Sequence, residues 1–194
     1  MGYLYPRIYT SNVQRFCKLY SPIGLDFYDL EAYANCALDG LKLYDMYKIF
    51  WNINVNTDSI RIQFCNDMFG KAAQEMGLYF TTLESLNNTI LSQSHLYNYK
   101  EQLAGTDSVN MQMLRNHLNN ALLLDTSQIV QDRIIFFNTG FKIYEGAWQV
   151  HNGGGTDNYA AFLKSIAGRG DMYFLAGDSA TFINNIPSFI KSLK

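Results

Sequence analysis

Two short segments near the end of the chain carry residue types that could do chemistry. The first is Met172–Ser179, an apolar run that leads into Gly-Asp-Ser. The second is Gly153–Asp157, in which three glycines precede a threonine and an aspartate. Serine hydroxyls serve as nucleophiles, and hydroxyl and carboxylate oxygens bind divalent cations. Hydrolysis and cation binding are therefore the chemistries to test first against the rest of the chain.

The segment Met172–Ser179 resembles the first block of the GDSL (SGNH) hydrolases. The resemblance implies that Ser179 is a nucleophile and that a glycine helps to form an oxyanion hole. In that family the block stands near the N-terminus, and a catalytic Asp-x-x-His lies downstream. Here no histidine follows Ser179. We therefore interpret Asp178 and Ser179 as N-cap residues of the last helix.

The segment Gly153–Asp157, followed by a strand that ends at Asp178, resembles part of a von Willebrand factor A domain. The resemblance implies that Thr156, Asp157 and Asp178 help to hold a divalent cation. That family also has an Asp-x-Ser-x-Ser loop after an apolar strand. The nearest match, Thr106–Asn110, lacks the first aspartate and the last serine. A cation-binding domain stays an alternative, and it requires a β-sheet.

The other reactive residues show no spacing typical of a site. Arg169-Gly170-Asp171 is an integrin-type tripeptide that we interpret as a turn. The three histidines are far apart, at His95, His117 and His151. The three cysteines are odd in number and include no Cys-x-x-Cys pair, which argues against a disulfide framework and a zinc site. We predict no catalytic residue, no metal and no cofactor.

The stretch from Asp125 to Gly155 must position the second segment, and its period predicts a helix. Its apolar residues alternate in steps of four and three, the pattern of one helical face: Val130, Ile134, Phe137, Phe141, Tyr144 and Trp148. Capping residues stand at both ends of the stretch. The alternative is a β-hairpin turning at 138–140, because Gly140 and Gly146 each cost a helix roughly 1 kcal/mol.

Similar periods predict helices along most of the chain. Gly77 is expected to end or kink a helix that starts at Thr57, 97–107 is expected to be a connection, and Pro187 should bend the last helix. The prediction is a mainly α protein, a single-domain helical bundle of six or seven helices. The alternative is an α+β fold with a small sheet from 133–145 and 172–176.

An aromatic segment precedes this bundle. We predict that 1–27 form an extended N-terminal arm, with at most a short helical turn at 12–19, and that 28–194 form a single helical domain. An aromatic arm of this kind lies on a surface, either of its own domain or of a neighbouring subunit. The predicted interface residues are Tyr3, Tyr5, Tyr9, Phe16 and Tyr20.

Composition favours a protein partner. Charged residues make up 16% of the chain, against roughly 25% in an average domain, and aromatic residues make up 15%. Tyrosine suits contact surfaces because it joins a large apolar body to a polar tip. An AT-rich genome is the alternative explanation. The net charge of −2 gives no basic footprint for nucleic acid, and charges interrupt the central stretch, so we expect no membrane span.

These observations predict a non-enzymatic structural or adaptor subunit of a larger protein assembly, in a homo- or hetero-oligomer. The composition points to a virus or bacteriophage particle as its setting. One alternative is a small hydrolase or a divalent-cation-binding domain that uses 153–179. Another is a soluble regulator that binds one host protein. The N-terminus has no signal-peptide pattern, so we expect a cytoplasmic or virion location.

Overall fold

Helices account for the regular structure in the part of the chain that the structure describes. The computed structural model describes residues 8, 10–24, 36–90, 98–169 and 179–194. These ranges contain helices and no strand, which confirms the mainly α bundle. The α-helices are α1 (Thr10–Tyr20), α2 (Cys36–Trp51), α3 (Thr57–Phe69), α4 (Ala73–Ile90), α5 (Tyr99–Ala104), α6 (Ser108–Leu124), α7 (Gln128–His151), α8 (Asp157–Ile166) and α9 (Ser179–Leu193). Short 3-10 turns follow α1, α3 and α8 at Ser21–Ile23, Gly70–Ala72 and Ala167–Arg169.

The central stretch forms α7, the longest of these helices, so the β-hairpin alternative is wrong. Ser127 occupies the N-cap position and Asn152 the C-cap position. The residues proposed for the hairpin turn, 138–140, lie in the middle of the helix. The predicted apolar face is turned inward, with Trp148 half-buried and the other members buried: Val130, Ile134, Phe137, Phe141 and Tyr144. The proposed strand at 172–176 lies outside the described residues.

Gly140 and Gly146, which count against a helix in the sequence, allow neighbouring elements to pack closely on α7 in the structure. A Cβ atom on Gly140 would meet the carbonyl oxygen of Ala37 at 2.6 Å. A Cβ atom on Gly146 would overlap the ring of Tyr159. Glycine therefore lets α2 and α8 lie close against α7, and this close packing offsets the cost of about 1 kcal/mol per glycine.

An aromatic cluster fills the core where α3, α4 and α7 meet. The Phe137 ring lies edge-on, 5.6 Å from the Phe69 centroid and 5.3 Å from the Phe80 centroid. Phe64 packs at 5.9 Å and 6.0 Å from the same two rings. Each such pair contributes about 0.5–1.5 kcal/mol beyond the area that it buries. Part of the high aromatic content is therefore used inside the protein.

The break between α3 and α4 lies at Gly70, and the prediction of a break at Gly77 is wrong. Gly70 has a positive φ of 49°. The Oδ2 atom of Asp125 accepts a hydrogen bond from the Lys71 N–H at 3.1 Å. Asp125 Oδ1 accepts the Ser127 N–H at 2.8 Å, and these two bonds lower the pKa of the Asp125 carboxyl. Gly77 lies inside α4.

Two segments predicted to be irregular are helical. α5 occupies part of the predicted connection at 97–107, and the Asn98 side chain accepts the Glu101 N–H at its start. α1 covers residues 10–20 of the predicted arm, so the arm is not extended there. The described residues therefore contain more helices than the six or seven predicted. None of these helices is long and apolar enough to cross a bilayer.

Candidate protein interface

Helix α1 presents its largest apolar side chains to solvent. Phe16, Leu19 and Tyr20 lie on α1, and Ile23 ends the 3-10 turn that continues it. The four have the i, i+3, i+4, i+7 spacing of one helical face. Their exposed fractions are 50%, 64%, 36% and 76%. The Phe16 and Tyr20 rings contact each other, with centroids 4.5 Å apart. We call these four residues the outer stripe. Single exposed apolar residues are common on proteins, whereas a contiguous set marks an interaction surface.

Another face of α1 makes a small apolar contact with the body. Cys17 is fully buried against Ile49 and Ile60, and Val13 packs at the edge of this group. The group is separate from the main core around α7. Burial of a cysteine and a valine therefore supplies the apolar part of the attachment of α1.

Side-chain hydrogen bonds supply the polar part of this attachment. Gln14 Nε2 donates to the carbonyl oxygens of Ile53 at 3.1 Å and Val55 at 2.5 Å, both in the loop after α2. Asn87 Nδ2 donates to the carbonyl oxygen of Ile8 at 2.7 Å, and the Ile8 side chain is buried in the main core. The Gln14 bonds attach α1 to the α2–α3 loop. The Asn87 bond attaches Ile8, two residues before α1, to α4.

A buried charge network lies beneath the start of α1. Thr10 Oγ1 donates to Asp45 Oδ2 at 2.5 Å. Arg61 Nη2 donates to Thr10 Oγ1 at 3.3 Å and lies 3.9 Å from Asp45 Oδ2. Arg61 Nη1 lies 2.7 Å from Glu84 Oε2. We call Thr10, Asp45, Arg61 and Glu84 the anchor network, and it joins α1 to α2, α3 and α4.

The Asp45 carboxyl is the least solvated group of the anchor network. The side chain is 0% exposed, and its Oδ1 atom has no hydrogen-bond partner among the described atoms. Burial raises the pKa of Asp45 to about 6, against the lowering effects of the Thr10 hydrogen bond and the Arg61 charge, and Glu84 adds to the rise. Because a buried charge is costly unless it is paired, this carboxyl makes the attachment of α1 sensitive to protonation.

The polarity of α1 departs from that of an ordinary surface helix at part of its surface. A surface helix usually turns its apolar stripe inward and its polar face to water. In α1, Thr10 and Gln14 find partners inside, while the outer stripe stays in solvent. The charged residues beside the stripe, Arg15 and Lys18, are both basic and exposed. The sequence contains no acidic residue before Asp26, so the charged side chains of α1 itself are all positive.

Two of the five predicted interface residues belong to the outer stripe. Phe16 and Tyr20 lie on it, and their role at an interface stays a prediction. Tyr3, Tyr5 and Tyr9 lie outside the described residues. Sequence reasoning missed Leu19 and Ile23, although their three–four spacing with Phe16 and Tyr20 was the signal. Pro22 and Gly24 favour an irregular chain, and they led to the prediction of an extended arm at these positions.

A second apolar surface lies between α2, α3 and α7, and we call it the lateral groove. Its volume is about 710 Å³. Ile129 and Ile135 on its wall are 59% and 47% exposed. Arg133 Nη1 donates to the carbonyl oxygens of Met68 at 3.0 Å and Asp67 at 3.2 Å, so it caps the end of α3. The described lining residues are Cys36, Gly40, Phe64, Met68, Ile129, Asp132, Arg133, Ile135, Phe136 and Phe137.

The three cysteines differ in their access to solvent. Cys17 and Cys65 are buried, whereas Cys36 is exposed and lines the lateral groove. Burial raises the pKa of the Cys65 thiol to about 12. None of the three takes part in a disulfide.

The described residues do not assemble the hydrolase or cation site. Thr156 precedes α8, Asp157 is the first residue of α8, and Ser179 is the first residue of α9. Gly177 and Asp178 lie outside the described residues. No strand in the described ranges supplies the sheet that the cation-binding alternative requires. In the described ranges, no group of three His, Cys, Asp or Glu side chains could hold a metal ion.

The two described histidines take part in separate local contacts. His117 Nδ1 lies 2.8 Å from Glu75 Oε2. His151 Nδ1 lies 2.9 Å from the carbonyl oxygen of Leu193. Neither contact includes a serine or cysteine nucleophile.

Comparison of the chain with protein-family models, with curated proteins and with solved structures gives no match. Inference about function therefore rests on the two apolar surfaces, the outer stripe and the lateral groove.

Proposed function

We propose that this chain is a non-enzymatic structural or adaptor subunit of a protein assembly. The outer stripe of α1 is the surface that it buries against a neighbouring subunit. The observation that carries this proposal is the outer stripe itself, whose large apolar residues face solvent while Thr10 and Gln14 of the same helix bond to the body. A helix that presents residues at i, i+3, i+4 and i+7 suits insertion into a groove on another protein.

The energy of the outer stripe fits a subunit that makes several contacts. Full burial of a large apolar side chain contributes about 1.5–3 kcal/mol. The stripe side chains are between 36% and 76% exposed, so completing their burial contributes on the order of 5 kcal/mol. Association costs about 4–15 kcal/mol in lost freedom of movement. The stripe therefore stabilises an interface that also needs other contacts, as an assembly provides.

The test compares the size of the tagged full-length chain in native lysate with that of two variants. Wild type is expected to elute well above its own mass of 22.2 kDa. Leu19→Asp places a charge on the stripe and is expected to elute as a monomer. Leu123→Asp is the matched control, because Leu123 is 82% exposed on α6, outside the stripe, and it should elute like wild type.

Circular dichroism of each purified variant shows whether the helices are retained. Equal elution of wild type and Leu19→Asp would contradict the proposal. Elution of wild type as one defined complex with a single partner would instead favour the regulator of one host protein. The virus or bacteriophage setting rests on composition alone.

A further inference from the structure

We propose that the neighbour which receives the outer stripe is a second copy of this chain, and that it binds the stripe in its lateral groove. This inference rests on the proposed function and deepens it by naming the partner. Each copy then contributes two different surfaces, a stripe on α1 and a groove between α2, α3 and α7.

The two surfaces match in polarity. The outer stripe offers two aromatic and two aliphatic side chains to solvent. The lateral groove is lined mostly by apolar residues, among them Phe136, Ile129 and Ile135, and the two isoleucines are about half-exposed. The stripe spans the eight residues from Phe16 to Ile23, a length of about 10 Å. A groove of about 710 Å³ has room for several side chains of this size.

The two surfaces also match in charge. Arg15 and Lys18 flank the stripe, and neither forms an ion pair among the described residues. Asp132 lines the groove and Asp67 lies at the adjoining end of α3; both are exposed, and the described ion pairs include neither. Arg133, the cation of the groove, is bonded to the last carbonyl groups of α3. Asp132 Oδ1 also accepts a hydrogen bond from Gln128 Nε2 at 2.8 Å, which leaves its negative charge in place. Two cations and two carboxylates that lie outside the described ion pairs thus meet around an apolar centre, the arrangement of a typical interface.

The contact joins unlike surfaces, and this determines how the assembly grows. Because the stripe and the groove lie on different helices, one copy can use both at once. A head-to-tail contact of this kind closes into a ring or continues as a filament. Wild-type protein should therefore form species larger than a dimer as its concentration rises.

The test uses two complementary variants, light scattering of the purified full chain, and a reducing buffer that keeps Cys36 from forming disulfides. The stripe variant is Leu19→Asp with Ile23→Asp, and the groove variant is Ile129→Lys with Ile135→Lys. All four positions are exposed or half-exposed, so the fold should survive, and circular dichroism checks this. Wild type should form large species, and each variant alone should be a monomer.

The equimolar mixture of the two variants is the deciding sample. The groove variant keeps an intact stripe and the stripe variant keeps an intact groove, so the mixture should form a dimer and nothing larger. Self-association of the groove variant to the wild-type size would overturn the inference, because the stripe would then bind elsewhere. A mixture that stays monomeric would overturn it too.

The result also separates this inference from the proposed function. If purified wild type stays monomeric while the chain assembles in native lysate through Leu19, the partner is a different protein. The proposed function then stands and the second-copy inference fails. If Leu19→Asp changes neither measurement, both fail.

A charge exchange tests the rim of the contact. Arg15→Glu with Lys18→Glu should weaken self-association about tenfold, since the change replaces two attractive charge pairs at an exposed rim by repulsive ones. Mixing this variant with Asp67→Lys and Asp132→Lys in a second chain should restore the association. Absence of any rescue would show that the carboxylates of the groove do not face α1, and would overturn the proposed orientation.

Discussion

Helices α7 and α1 share a three–four spacing of apolar residues, but the spaced residues face the core in α7 and solvent in α1. In α7 the spaced residues are buried and pack against rings from α3 and α4. In α1 they are exposed, and the buried side is held by a threonine, a glutamine and a cysteine. Period alone therefore identifies a helical face, and the partners available to the polar residues decide which way that face points.

The largest expected difference between the two helices is in the stability lost when a phenylalanine of each is replaced by alanine. Phe137→Ala should lower the free energy of unfolding by about 3–5 kcal/mol, because Phe137 is 4% exposed and contacts the rings of Phe69 and Phe80. Phe16→Ala should cost less than about 1 kcal/mol. Urea denaturation of both variants measures the two values. Similar losses would show that α1 is packed as tightly as α7, and would break the comparison.

The next effect concerns the anchor network under α1. The folded protein raises the pKa of Asp45 to about 6 from 3.8, so the folded state holds this proton more tightly than the unfolded state. The resulting stability is fully present below about pH 4 and is lost as pH rises through 6. Between pH 4 and pH 7 wild type should lose on the order of 3 kcal/mol relative to Asp45→Asn. Parallel stability–pH curves for the two proteins would refute this assignment.

A smaller effect tests the close contact of α7 with α2. Gly140→Ala should destabilise the protein by about 1–3 kcal/mol, because the new methyl group meets the Ala37 carbonyl oxygen. Gly40→Ala is the matched control in α2, since its Cβ finds its nearest neighbour only at 3.9 Å. Removing that helical glycine should stabilise the protein by up to about 1 kcal/mol. Thermal melts of both variants decide whether the two changes have opposite signs.

The smallest effects compare the two faces of α1 itself. Leu19→Ser should change stability by no more than about 0.5 kcal/mol, because Leu19 is 64% exposed. Gln14→Ala should cost about 1–2 kcal/mol, because it removes two hydrogen bonds to the α2–α3 loop. Denaturant titrations should therefore show a larger loss of unfolding free energy for Gln14→Ala than for Leu19→Ser. The reverse order would mean that α1 has a conventional apolar attachment.

The course of α7 and the inward face of its stripe could be predicted because long periodic segments carry their own signal. The position of the α3–α4 break could not. No local pattern distinguishes Gly70 from Gly77 in the sequence. In the structure the break lies at Gly70, where the side chain of Asp125 accepts the Lys71 N–H, and these two residues are 54 positions apart in the chain. A contact between residues so far apart leaves no local pattern.

The same limit applies to the candidate interface. Phe16 and Tyr20 could be proposed from their type and their place in an aromatic segment. The inward turn of Thr10 and Gln14 depends on Asp45 and on the carbonyl groups of the α2–α3 loop, which a local pattern does not reveal. Removing 1–24 would also uncover Ile49 and Ile60, so substitutions on the outer stripe test the interface more cleanly than a truncation.

The difference in access among the thiols gives the protein a built-in reporter. Cys36 is exposed at the lateral groove, whereas Cys17 and Cys65 are buried and the raised pKa of Cys65 keeps its thiol protonated at neutral pH. A thiol-reactive fluorophore should therefore label the wild-type chain at one position without any mutation. Its emission should shift when the groove fills, and the rate of labelling should fall with rising protein concentration if a second copy covers that thiol.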